Sequence, residues 1–337
     1  MTVDTPQDPE ESRISLEDTL AAVLDAATPL AARFLYRLSD LTGEELAKLA
    51  EIWPKIDPQR RENMLVDLEL LAESNYVVSF ESVNRLALKD PAAEIRKIAI
   101  RALWETESKD LARIFLDILE NDPDIGVRAQ AAYGLGQFIY LGELSKIARG
   151  DLERIVDRLI KTIEQKEPLQ IQQRALESLG FSSDSRVPHL IEDAYDTEDP
   201  EWTVSALMAM GRTADEQWES IVMDKLDHAD NDIALEAVRA AGELAIAEAS
   251  PALLNYLQDE NVELRLAAAW SLSEIGGHDA RDGIQFLIDE TEDDEELDLL
   301  EAAMDNLAFN EELGDFSLLD LDEDLNEDLI NPSPEED

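Results

Sequence analysis

An alanine occupies one register position seven times in this chain, at Ala99, Ala131, Ala175, Ala206, Ala237, Ala268 and Ala303. Four residues before each lies an apolar position zero: Ile95, Val127, Ile171, Trp202, Ile233, Leu264 and Leu299. Four residues after each lies Leu103, Leu135, Leu179, Met210, Ala241, Leu272 or Leu307. Positions zero, four, five and eight share one side of a helix. The zero positions follow at intervals of 32, 44, 31, 31, 31 and 35 residues, and a period in the low thirties is that of stacked helical pairs. The fold predicted is all-α. No pair buries its apolar face alone, so the array is the folding unit, with each alanine admitting a neighbouring helix and the larger residues filling the layer between.

The clearest copy is DPDIGVRAQAAYGLG, Asp122 to Gly136. Its Asp-Pro start places Pro123 in the first helical turn and Asp122 as the cap. This stretch and ENVELRLAAAWSLSEIG resemble the HEAT repeat of the bilin-lyase-like type, with the pattern D-x-x-V-R-x-x-A-A-x-A-L-G in its second helix, over roughly residues 80 to 309. The resemblance implies a right-handed α-α superhelix, a HEAT/armadillo-like solenoid of about seven regular helical pairs. It also implies that Arg96, Arg128 and Arg265 bond acidic or carbonyl groups of adjacent repeats. Gln172, Thr203, Ala234 and Leu300 replace that arginine elsewhere, which interrupts any ladder through the middle of the stack.

Four segments follow. Residues 1–13 are polar, with Pro6 and Pro9, and are expected to be disordered. Residues 14–79 hold three or four helices, opened by Ser15 with Asp18, by Thr42 and by Asp57-Pro58, and form a divergent N-terminal cap. Residues 80–309 are the solenoid, with first helices near 80–89, 108–120, 151–165, 187–196, 215–228, 250–258 and 279–290. Within it the 44-residue interval holds an extended helix and a loop, Gln137 to Gly150, with Asp151 as the next cap. Residues 310–337 are an acidic tail expected to be disordered.

Charge narrows the function. The chain carries −50 formally; the residues after Arg281 hold 23 acids and no Lys or Arg, and residues 1–12 hold four acids and no base, which leaves −23 on the body between. Such a field repels phosphate backbones and steers basic proteins in, so nucleic acid is excluded as a partner and a basic protein is favoured. Solubility or adaptation to high salt explains the same acidity. The one basic cluster, Lys146, Arg149, Arg154, Arg158 and Lys161, reads as internal charge balance. No apolar run is long enough to span a membrane, and no secretory signal opens the chain, so a cytoplasmic location is expected.

No chemistry is legible. There is no cysteine, and His189, His228 and His278 are followed by Leu, Ala and Asp, so the His-Glu iron pairs of deoxyhypusine hydroxylases are missing. The basic, aromatic-lined groove of HEAT-type DNA glycosylases is missing too. Asp320, Asp322, Asp324 and Asn326 imitate a calcium loop but put Leu325 at the glycine position. No catalytic residue, metal or cofactor is assigned. At about 100° per residue, the core positions centre near about 60°, so positions two and six point to the inner surface. There Tyr133, Val204, Met208, Leu235, Arg239, Leu266 and Trp270 form the candidate partner-binding row, the last six in three successive repeats. Arg239 stands ready for a carboxylate of the chain's own tail, Phe316 to Ile330, as an internal occupant. The function expected is a non-catalytic protein-interaction scaffold or adaptor. The alternatives are a bilin-lyase-like enzyme or enzyme subunit, and an acidic decoy or chaperone for a basic nucleic-acid-binding protein. Ala131→Leu or Ala268→Leu is expected to lower stability by about 1 to 3 kcal/mol in denaturant titration, because the register leaves no room for added methylenes.

Overall fold

A computed structural model describes residues 14–75, 77–165 and 167–330, with side chains from 314 onward outside the described set. The disorder expected for residues 1–13 lies outside the described residues, as do residues 331–337 of the tail. The chain forms two compact units, residues 1–179 and 180–337. Among the described residues every regular element is helical.

The first unit contains α1 (Leu16–Leu24), α2 (Ala32–Tyr36), α3 (Gly43–Ile52), α4 (Pro58–Ser74), α5 (Glu81–Ala87), α6 (Ala93–Arg101), α7 (Lys109–Asn121), α8 (Ile125–Glu143), α9 (Arg149–Glu164) and α10 (Leu169–Leu179). Ser15 Oγ accepts from the Asp18 amide and Asp57 Oδ1 from the amides of Gln59 and Arg60, so two of the anticipated caps are made. Thr42 precedes α3 without a side-chain cap bond. A buried polar knot joins the N-terminal helices to the first regular pair. Asp90 accepts from Trp53 Nε1 at 2.7 Å and pairs with Arg61, while its backbone oxygen takes a bond from Arg96. Leaving any member of such a knot unpaired strands a buried charge.

The second unit contains α11 (Val187–Tyr195), α12 (Pro200–Arg212), α13 (Glu219–Lys225), α14 (Asn231–Glu243), α15 (Ser250–Tyr256), α16 (Val262–Ile275), α17 (His278–Glu290) and α18 (Asp294–Ile330). The seven regular pairs run from α5/α6 to α17/α18. In each unit the second helices pack side by side, α6 on α8 and α8 on α10, then α12 on α14, α14 on α16 and α16 on α18, while the first helices cover them. The helical backbone of α18 passes residue 310, where the sequence reading began its tail. Its first part is held by Leu300, Ala303 and Leu307, all buried, and by Asn310 donating to Ser273 O.

All seven register alanines are 0–1% exposed, and all seven plus-eight residues are fully buried. Position zero departs twice. Leu299 is 55% exposed while Leu300 is buried, and Trp202 is half-buried while Thr203 is buried. Plus one lies at about 100°, nearer the middle of the core arc than zero does, so local packing selects between them. The start of α8 also differs. The helix begins at Ile125, with Asp124 Oδ1 accepting from the Val127 amide, so Pro123 sits before the helix. Asp122 is taken by Arg96, at 2.7 and 2.8 Å. Similarly α9 starts at Arg149, which places Asp151 in its first turn rather than at the cap.

Neighbouring second helices approach closely at the glycine of plus nine where one is present, which meets the small residue at plus seven of the next repeat. A Cβ on Gly136 would stand 3.2 Å from Ser178 Cβ; on Gly180, 2.9 Å from Ala209 Cα; on Gly211, 3.0 Å from Ala240 Cα; on Gly242, 2.7 Å from Ser271 Cα. Where plus seven is serine, its hydroxyl donates to the plus-five carbonyl of the previous repeat: Ser178 to Ala132 O at 2.9 Å and Ser271 to Val238 O at 2.8 Å. Gly242→Ala therefore pushes on backbone that cannot yield, and a loss of about 1 to 3 kcal/mol is expected from its unfolding midpoint. Gly150→Ala meets nothing within 4 Å, and is expected to be neutral or to stabilise by about 0.4 to 1 kcal/mol.

Candidate functional site

The arginines of plus one do what the resemblance implies. Arg96 bonds Asp122; Arg128 bonds Leu119 O at 2.7 Å and Glu167 at 2.8 Å; Arg265 bonds Asp259 O and Glu296, both at 2.7 Å. In each case the carboxylate belongs to the next repeat. Gln172 keeps only a bond to Glu167 O, and Thr203 turns back to Asp199 O.

Those contacts decide which azimuth each second helix leaves open. Plus nine lies at about 180° and plus seven at about 340°, so the two flanking second helices bound an open arc centred near about 260°. Positions six and ten, at about 240° and 280°, fall in it. Position two, at about 200°, lies beside the plus-nine contact. This explains the fate of the candidate row in the second unit. Leu235, at position two, is only 8% exposed, which removes it from the surface, and Val204 and Leu266 are half-buried. At position six Met208 and Arg239 are half-buried, and Trp270 is 48% exposed. Position ten, which the sequence reading passed over, supplies Arg212, Glu243 and Glu274. The four-residue step from Met208, Arg239 and Trp270 was the signal available for finding them.

The resulting face alternates apolar and charged groups. The Arg212 guanidinium lies 4.7 Å from the centre of the Phe181 ring. Arg239 is held by Glu263 at 3.0 Å and Glu236 at 3.4 Å, so the partner foreseen for it, a carboxylate of the tail, meets a guanidinium already paired within the unit. Glu274 accepts from Asn306 at 2.8 Å. Tyr133 belongs to the first unit, half-buried beside Trp104 at 5.4 Å between ring centres, with the Arg174 guanidinium 5.7 Å away. There the same arc is closed by Gln137 and Glu177, both buried.

Four of the five residues of the basic cluster are in ion pairs: Lys146 with Glu107, Arg149 with Glu153, Arg154 with Asp151 and Arg158 with Glu120. The groove of about 640 Å³ between α7 and α9 carries Arg113, Arg154, Arg158 and Lys161 against Asp117, Glu120, Glu153 and Asp157, so its charges balance. His189, His228 and His278 are all exposed. Among the described residues no three His, Asp or Glu side chains are grouped to hold a metal, and no helix is long and apolar enough to cross a membrane.

Glu243 is the one carboxyl on the open arc displaced far from its ordinary range. Its Oε2 lies over Gly211, 2.5 Å from where a Cβ would stand. Loss of surrounding water pushes its pKa up to about 7; Glu236 and Glu274 act in the same direction, and Arg212 and Arg239 oppose them. A raised carboxyl pKa means that the folded state holds its proton longer than the unfolded chain. Stability is therefore expected to fall as pH rises from about 4.5 to about 7. Glu243→Gln should flatten the thermal midpoint across that window and raise it at pH 8, by a small amount because the residue as a whole is exposed and screened.

Comparison with known proteins follows from this geometry. The sequence profile of HEAT repeats matches residues 83–149 and 219–308. A search of curated proteins finds no match. Among solved structures, the chain is similar to YibA of Escherichia coli, at 13% identity over 83% of this chain and 98% of that one, with a TM-score of 0.40. It is similar to the complex of CpcE and CpcF of phycocyanin lyase from a Nostoc species, at 17% identity over 67% and 94%, with a TM-score of 0.44. Importin beta is similar at 12% identity over 87% of this chain and 51% of that one, with a TM-score of 0.33. Likeness at this level transfers no activity. The chain thus carries HEAT repeats at residues 83–149 and 219–308, within an array of packed helical pairs.

Proposed function

We propose that the chain is a non-catalytic interaction scaffold whose second unit binds a protein partner along positions six and ten of its second helices. The observation that carries this reading is Trp270, 48% exposed on the arc that the helix contacts leave open. Large aromatic side chains in such places dominate binding energy once a partner desolvates them. Met208 lies on the same register row, and the exposed Glu263 and Glu274 with the partly ionised Glu243, beside Arg212 and Arg239, favour a basic partner. The chain's own segment Phe316–Ile330 is the competing occupant, disfavoured by its acids and by the prior pairing of Arg239. A cytoplasmic setting is proposed on the sequence evidence alone.

Affinity capture from the native cell tests the reading. Trp270→Ala with Met208→Ala is expected to weaken capture of the same partner roughly tenfold or more, and rising salt to weaken it further. A chain ending at Asn310 binds the partner more tightly if the tail competes and equally if it does not. Unchanged capture by the double variant would overturn the assignment. Added bilin is expected to give no new visible absorbance, and a covalent adduct would favour a lyase.

A further inference from the structure

The last two second helices, α16 and α18, carry apolar residues on sides that neither the core nor a neighbouring helix covers. On α18, Leu299, Ala302, Asn306, Phe309 and Leu313 follow one another at steps of three, four, three and four residues. That is the spacing of a seam for another helix. The core stripe of α18 is separate, at Leu300, Ala303 and Leu307. Leu299, Phe309 and Leu313 are 55%, 59% and 51% exposed, and Ala302 is exposed as well. Asn306, in the middle, is half-buried and donates to Ser273 and Glu274 of α16, which pins the two helices at that level.

On α16, Val262, Leu266 and Trp270 recur every four residues, the first 47% and the last 48% exposed, with Leu266 half-buried. At about 160°, 200° and 240° from position zero they lie on the side of α16 turned to α18. Ala302, Phe309 and Leu313, at about 280° to 320°, lie on the side of α18 turned to α16. The two sets therefore flank one groove. From Leu299 to Leu313 it runs about 21 Å, the length of a four-turn helix at about 1.5 Å per residue.

Charge and chain path select the occupant. Glu263 and Glu274 border the groove on the α16 side and Asp298 and Asp305 on the α18 side, all four exposed. Asp298 and Asp305 have no ion-pair partner among the described residues. A second copy would bring its own acids against these rails, in a chain of formal charge −50. The chain's own segment 314–330 holds acids and no base, and its helical backbone continues α18 rather than turning back over it. A partner helix with Lys or Arg on both flanks of an apolar stripe meets the rails and the floor together. We propose that the groove between α16 and α18 binds one such basic amphipathic helix, its apolar stripe on Trp270, Leu299 and Phe309. The inference rests on the scaffold reading and deepens it by naming the shape and charge of the partner's docking element.

Fluorescence anisotropy of a labelled peptide titrated with the full chain tests this. The peptide has about fifteen residues, with leucines at every third and fourth position and lysines on both flanks. Saturable binding is expected, with added hydrogen-exchange protection over 262–275 and 294–313. A scrambled peptide of the same composition, and a twin with glutamate for lysine, should bind at least about tenfold more weakly. Leu299→Ala with Phe309→Ala, both at exposed positions, should weaken the striped peptide about tenfold, and Asp298→Asn with Asp305→Asn about threefold. Leu70→Ala, at an exposed apolar position of the first unit, should leave its affinity unchanged. Equal binding of the scrambled peptide, unchanged affinity in the Leu299 and Phe309 variant, or an equal loss in Leu70→Ala would each overturn the proposal. A dimer in sedimentation that the Leu299 and Phe309 variant dissociates would give the groove to a second copy and overturn it too. If the striped peptide fails while the Trp270 and Met208 substitutions still weaken capture, the scaffold reading stands and only the groove assignment falls.

Discussion

Neighbouring second helices in this protein come together at four glycines, each pressed on a serine or alanine backbone, and much else is set by that contact. Because Gly136, Gly180, Gly211 and Gly242 have no Cβ, consecutive helices approach until the Cα atoms of Ser178, Ala209, Ala240 and Ser271 fill the space where one would be. At such separation a serine at plus seven reaches a main-chain carbonyl of the previous helix, a bond that does not depend on the identity of the facing side chain. The alanine at plus four is buried in every repeat, on the core side of the helix.

The same contact fixes function's coordinates. Two flanking neighbours, met at different azimuths, leave each inner helix an uncovered arc about two residues wide per repeat, so what the protein shows on that side is determined by positions six and ten. In the second unit those positions carry Met208, Arg212, Arg239, Glu243, Trp270 and Glu274; in the first, Gln137 and Glu177 are buried while Arg101 and Glu105 stay exposed. One scaffold geometry thus yields open and closed stretches of the same arc by side-chain choice.

The period and the core were legible because they are written by residue size, and size repeats: seven alanines and seven plus-eight residues sit where the register put them. The arginine bonds were legible by resemblance. Orientation of the inner surface was not, since an average over core positions treats a helix as buried on one side. These helices are bounded on three. Leu235 was lost to that error and Arg212, Glu243 and Glu274 were missed by it. The cap expected at Asp122 is displaced: its Oδ1 accepts the Asp124 amide as well as Arg96, but the helix starts only at Ile125, and Asp124 holds its end.

The arginine clamps are distributed unevenly. Arg96, Arg128 and Arg265 each staple a repeat to the one after it by a charged bond. At Thr203 and Ala234 that staple is missing, and α14 is joined to α16 instead by Arg239 with Glu263 and by Ser271 donating to Val238 O. The charged link has thus moved from the flank of the helix to the open arc, where solvent and any occupant of the face reach it. A group that draws Arg239 away from Glu263 unfastens one repeat from the next, so the exposed face and the joint beneath it share a side chain.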